Sequence, residues 1–170
     1  DNDVWGTDVT FGYQSAVDIA TDVIDKVHST ALSHSRVMIV ELMGNEAGWL
    51  TLSAGIAGGA DVILIPEIPY DINAVADVVN DRYESGKHFS IIAIAEGARS
   101  VSDDPQQNLR GQHYSVGYKL ADELKTVIDA DTRVVVPGHY QRGGAPCPYD
   151  RVLATQMGVY AARLIERGEF

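Results

Sequence analysis

Three short runs of almost unbroken apolar residues constrain this chain more than any other feature: Arg36 to Leu42 (RVMIVEL), Asp61 to Ile65 (DVILI) and His88 to Ala95 (HFSIIAIA). Each is short for a helix and rich in Val and Ile, so each reads as a strand. Neither alternate set of side chains is polar, which means that both faces of each strand must be covered. The covering elements lie between them. Residues 13–30 place Ala16, Ile19, Ala20, Val23, Ile24 and Val27 at helical spacing, with Asp18, Asp22 and Asp25 on other faces. Residues 49–57 read as a helix stopping at Gly58-Gly59, and residues 71–84 as a polar helix stopping before Gly86. Helical periodicity returns over 113–129, through Val116, Leu120, Leu124 and Ile128. A fourth strand is expected over 133–136, and a last helix from Pro148, with Leu153, Met157, Tyr160 and Leu164 on one face. This alternation predicts an α/β fold, a three-layer α/β/α sandwich with a mainly parallel sheet. The polar stretch after Glu96 (GARSVSDDPQQNLRGQ) reads as a surface excursion.

Composition narrows the function. The 170 residues carry a formal net charge of −11, which argues against any role needing a broad basic surface, nucleic-acid binding included. The single cysteine, Cys147, has no internal disulfide partner, and no stretch approaches the ~18 apolar residues of a membrane span. A reducing cytoplasm fits these features. The opening Asp1-Asn2-Asp3, with no methionine or basic leader, suggests a truncated chain.

In parallel sheets ligands sit beyond the carboxyl ends of the strands, which directs attention to Met43-Gly44-Asn45, Glu67, Glu96 and Gly138-His139. Asp1, Asp3 and Asp8 form a carboxylate cluster that could hold Mg²⁺ or accept a proton; by spacing alone it reads more simply as a solvated chain end. Gly138 to Gly144 (GHYQRGG) joins a strand end to a helix start. Its paired glycines could aim N–H groups at an anion while Arg142 adds forked donors. The plainer reading is a glycine-rich turn with an exposed arginine. Arg133 supplies another cation, and His34 with Arg36 forms either an anion contact or a helix cap and a surface charge. Glu96 could accept from sugar hydroxyls or be a structural ion-pair partner. No zinc spacing, Ser-His-Asp signature or P-loop is present.

The order of these segments is more telling than any one of them. Asp1-Asn2-Asp3 with Gly6-Thr7-Asp8 resembles the TIDND segment of the 6-phosphofructokinases and its continuation, and Thr30 to Arg36 is similar to their TAxSHxR. Glu41 to Gly44 resembles the start of EVMGR, Pro66-Glu67 their PE, Ala95-Glu96-Gly97 their EG, and Gly138 to Asp150 their GHxQRGGxPxxxD. On this series the chain is identified as a member of that family, ATP- or pyrophosphate-dependent.

The resemblance implies a reaction and its residues. Phosphoryl transfer goes from ATP or pyrophosphate to the 1-hydroxyl of fructose 6-phosphate, with Mg²⁺ as cofactor. Asp1 would be the general base, and Asp3 would act beside it on Mg²⁺ and the transferring group. Met43, Gly44, Asn45 and Glu96 would hold the sugar; His139 and Arg142 would hold its 6-phosphate, joined by Arg36 and Arg133 from a neighbouring subunit of a homodimer or tetramer. Residues 13–138 would form the sugar-phosphate domain, with residues 1–12 and 139–170 belonging to a donor-binding domain. Two positions depart from the pattern: Asn45 stands where the motif has arginine, and His28 where the allosteric bacterial enzymes have an effector-binding arginine. The family's glycine-rich donor segment lies upstream of TIDND, so the chain alone is expected not to turn over. The alternative is a non-catalytic sugar-phosphate-binding or regulatory subunit, against which the retention of Asp1 and Asp3 argues.

Overall fold

In a computed structural model of the chain, the structure describes residues 6–104 and 115–169. Four parallel strands, β1 (Val37–Leu42), β2 (Val62–Leu64), β3 (Ser90–Ala95) and β4 (Thr132–Val135), form one sheet in the order β2-β3-β1-β4. β1 and β3 are central and buried along their whole length. Their side chains alternate between two cores. Val37, Ile39, Ile92 and Ile94 face one side, and Met38, Val40, Leu42, Ile91 and Ala93 face the other.

Helices α1 (Tyr13–His34) and α2 (Trp49–Ala57) cover the second core, through Ala20, Ile24, Val27 and Ala31 of α1 and Leu50 and Ala54 of α2. Helices α3 (Ile72–Glu84) and α4 (Val116–Leu124) cover the first, through Val75, Ala76 and Val79 and through Leu120, Ala121 and Leu124. The four α1 residues fall at intervals of four, three and four, the spacing of one helical face. The expected three layers and parallel sheet are therefore present.

The differences from expectation have local causes. α1 runs four residues beyond position 30 and stops at Ser35, whose left-handed backbone (φ 51°) turns the following N–H, that of Arg36, back to the Ala31 carbonyl at 3.2 Å. α4 stops at Leu124 rather than 129, because Thr126 and Val127 donate to the carbonyls of Glu123 and Leu124 and tighten the chain into a turn. Ile128 still reaches the core from that turn, which explains the longer periodicity. Strand β4 begins one residue earlier than expected, and Val136 is exposed. The stretch after Glu96 is not all surface: Ala98 and Ser100 are buried, and Tyr70 exchanges backbone hydrogen bonds with Arg99 and Val101. Its remainder, residues 105–112, lies outside the described residues.

The Tyr70 hydroxyl, buried beside the carboxylate of Glu123, is pushed well above its ordinary pKa by burial first and by that negative charge second. It stays protonated and donates to Glu123 Oε2 at 3.0 Å, pinning this loop to α4.

Helix α5 (Pro148–Arg167) behaves differently, for only Asp150 of its 20 residues is buried. Met157 and Tyr160, half of the expected apolar face, are exposed, as are Val152, Val159 and Ile165. Asp150 ties α5 to α1, because its two carboxylate oxygens accept from the backbone N–H groups of Gly12 and Ser15, both at 2.9 Å, and from the Ser15 hydroxyl. Gly12 has no side chain to cap α1, so a carboxylate 138 positions away does so.

Burial alone would push the Asp150 carboxyl upward. The hydrogen bonds from Ser15, Gly12 and the Cys147 thiol outweigh it and hold the group below its usual value. A depressed folded-state pKa stabilises above the unfolded value of about 3.9, and that stability is lost as pH falls through the folded value. At pH 7, Asp150→Asn should cost about 0.5–2 kcal/mol, measured by denaturant titration. The gap from wild type should narrow once the pH drops below about 4; a gap independent of pH would show that the carboxylate's charge is not what holds the two helices.

Candidate active site

β1 and β3 pair in register to their last residues, Leu42 opposite Ala95, so Met43 and Glu96 leave the sheet side by side. The Glu96 N–H donates to the Leu42 carbonyl (2.9 Å), and the Gly97 N–H to the Gly44 carbonyl (3.0 Å). Glu96 Oε1 accepts from the Gly44 N–H at 3.2 Å, while the carboxylate as a whole remains exposed. This corner requires glycine twice. Gly44 has φ +149°, and a Cβ on it would lie 2.9 Å from the Ala47 carbonyl oxygen; a Cβ on Gly97 would lie 1.8 Å from that of Asn45. Asn45 is thus held by its backbone against Gly97, with its side chain exposed. Glu67, also flagged from the sequence, accepts from the Gly48 N–H at 2.8 Å and so caps the start of α2.

On the other side of β1 the chain leaves β4 through Pro137 into a 3-10 turn, Gly138–Arg142. His139 and Arg142 are exposed on it, and Arg142 Nε donates to the sulfur of Met43 at 3.4 Å. Gln141, next to Arg142 in the chain and 1% exposed, accepts from the Met43 N–H at 3.2 Å and donates to the Gly138 carbonyl at 2.9 Å. Of the two readings of the paired glycines, the nest of free N–H groups is at most partial, since the Gly143 N–H donates to the Tyr140 carbonyl. Beside the turn lies a cavity of about 630 Å³, lined by Ser15, Met43, Leu50, Gln141, Arg142 and Asp150 among others.

Arg36 and Arg133 stand elsewhere. Arg36 precedes β1, and Arg133 is paired with Met38 near the start of β4, so both lie toward the amino edge of the sheet. They share one carboxylate: Asp131 accepts from Arg36 Nε at 2.8 Å and from an Arg133 guanidinium nitrogen. A β1 strand separates Arg36 from Met43, roughly 20 Å at the strand rise per residue. His34 bonds Ser33 and the Thr30 carbonyl, the helix-end role foreseen as one of its two readings. The structure therefore brings Met43, Gly44, Asn45, Glu96, His139 and Arg142 to one edge and leaves Arg36 and Arg133 near the other. Asp1 and Asp3 lie outside the described residues.

The phosphofructokinase family model matches residues 1–165. The chain belongs to the phosphofructokinase family. It is 51% identical over 177 residues to an ATP-dependent 6-phosphofructokinase of Spirochaeta thermophila, covering 100% of this chain and 48% of that protein. Phosphofructokinase from Saccharomyces cerevisiae superposes with a TM-score of 0.81 at 37% identity, over 98% of this chain and 22% of that one. A pyrophosphate-dependent phosphofructokinase from Marinobacter aquaeolei superposes with a TM-score of 0.82 at 23% identity, over 99% of this chain and 43% of its own, a likeness of fold alone. The chain spans about half the length of the curated relatives it matches.

Within this family member, the residues that sequence reasoning passed over are buried polar ones. Gln141 was visible only as a letter of a motif, and Asp150 only as that motif's end. Glu41, the fifth of the six residues of β1, accepts from the Gly117 N–H at 2.7 Å and from the Ser115 hydroxyl, fixing the start of α4. Among the described residues no group of His, Cys, Asp and Glu side chains could hold a metal ion, and no helix is long and apolar enough to cross a membrane.

Gly97→Ala tests the corner. It should lower stability by about 1–3 kcal/mol through overpacking against the Asn45 backbone, read as a shifted denaturation midpoint. An unchanged midpoint would mean that the Asn45 backbone is not seated on Gly97.

Proposed function

We propose that this chain is the sugar-phosphate grip of a 6-phosphofructokinase, an enzyme of glycolysis in the cytoplasm. The observation that carries the reading is the corner at which β1 and β3 end. There the Glu96 carboxylate and the Arg142 guanidinium flank the Met43–Gly44 backbone, bonded to Gly44 N–H and Met43 sulfur respectively. A carboxylate accepts from sugar hydroxyls, while a guanidinium and a nearby imidazole, His139, suit a phosphate. Glu96 spends one oxygen on Gly44 and keeps the other for fructose 6-phosphate. Met43, Gly44 and Asn45 form the floor beneath the sugar.

Arg36 and Arg133 serve a second copy. Their place toward the amino edge, roughly 20 Å from Met43, supports delivery to the phosphate of a neighbouring subunit's sugar within a homodimer or tetramer. Residues 13–138 make up the sugar domain. Residues 1–12 and 139–170 belong to the donor-binding domain, which accounts for α5 burying a single residue here.

In the reaction Asp1 takes the proton of the 1-hydroxyl. That oxygen bonds to the terminal phosphorus of ATP or pyrophosphate, whose bond to the leaving phosphate oxygen breaks, giving fructose 1,6-bisphosphate. Such transfers depend on positioning and on neutralising charge. Asp3, a hard oxygen donor, is the residue that would hold Mg²⁺, and the cation would neutralise charge on the donor phosphates.

The full-length protein should form fructose 1,6-bisphosphate from fructose 6-phosphate with ATP or with pyrophosphate, and the chain alone should not. Failure with both donors would remove the reading. Asp1→Ser in the full-length protein should reduce turnover by about 10²- to 10⁴-fold with sugar affinity nearly unchanged; undiminished turnover would favour a binding subunit instead.

A further inference from the structure

We infer that Gln141 is the positioning residue that sets the spacing between the sugar-facing corner and the turn that grips the phosphate. The inference rests on the function proposed above.

Gln141 is a polar side chain only 1% exposed, and both halves of its amide are occupied. Oε1 accepts from the Met43 N–H, and Nε2 donates to the Gly138 carbonyl. The two partners dictate the amide's orientation, because rotating it by half a turn would set donor against donor and acceptor against acceptor. Met43 is the first residue past β1, in the corner bonded to Glu96 through Gly44. Gly138 opens the turn that carries His139 and Arg142. The side chain thus spans the two halves of the site, and Arg142, its immediate neighbour, touches Met43 as well. A buried amide with two backbone partners fixes a distance in a way that an apolar filler does not, since each hydrogen bond is restricted in length and angle. A sugar phosphate held at both ends reads that distance directly.

The two roles separate in kinetics. A filler changes stability alone. A positioning residue changes the affinity for the ligand that spans the gap and leaves the phosphoryl donor untouched.

The test uses the full-length enzyme with Gln141→Leu, which keeps approximate volume and loses both bonds, and Gln141→Glu, which keeps the acceptor and turns a carboxylate toward the Gly138 carbonyl. Both should raise KM for fructose 6-phosphate by about 10-fold or more, with kcat and donor KM within about threefold of wild type. Sugar KM unchanged in a folded variant, sugar and donor KM rising together, or neither variant folding would each overturn the proposal and leave Gln141 a structural residue. If Leu alone fails to fold, the Glu variant decides. A wild-type enzyme that forms no bisphosphate would refute the proposed function, a result distinct from an active wild type with indifferent Gln141 variants. If that wild type still binds fructose 6-phosphate, the same shift is expected in the calorimetric Kd.

Discussion

The in-register pairing of β1 with β3 is the constraint on which the remaining structure depends. Six residues of each strand are buried on both faces, so every backbone polar group must be satisfied within the sheet and every side chain must meet a helix. That forces α1 and α2 to one side and α3 and α4 to the other. It also makes the two strands end together, placing Glu96 beside the Met43–Gly44 corner without any further device. The one ionisable side chain in these twelve positions, Glu41, would be costly there, and its burial is offset by the Gly117 N–H and the Ser115 hydroxyl. The carboxylate in turn anchors α4, so a local burden is converted into a link between layers.

Much of this was legible in the sequence because continuous apolar runs leave few alternatives. β1, β3 and α2 lie where the pattern put them. Ends were less legible, since they depend on partners. Arg36 falls outside the strand with its guanidinium on Asp131, and α4 stops where Thr126 and Val127 turn, although Ile128 keeps the period. In the site, Glu96 and Met43-Gly44 could be found by inspecting the residues just beyond each strand. Gln141 could not, because a glutamine between a tyrosine and an arginine in a glycine-rich segment looks solvent-exposed until the fold closes over it. The paired glycines of the turn left two readings open for a related reason: glycine gives a backbone freedom to point outward, and here the Gly143 N–H is taken by the Tyr140 carbonyl. The division of the cations between two edges follows from chain direction: Arg36 precedes its strand and Arg133 stands near the start of its own, whereas His139 and Arg142 come after a strand end.

Family membership and site geometry are complementary here. The match covers nearly the whole chain, yet that chain spans only about half of its curated relatives. The corner and the turn both leave strands of one sheet, and Gln141 joins them from within.

Asp150 has a consequence for shape. One carboxylate serves as counter-charge to the first turn of α1 and is itself in the first turn of α5, so the two helix axes must converge on it. The cavity is lined by Tyr13 and Ala16 of α1, by Leu153 and Met157 of α5, and by Gln141 and Arg142 of the turn. Its lining is thus shared between two helices that meet at one carboxylate, so a change at Asp150 reaches walls on both.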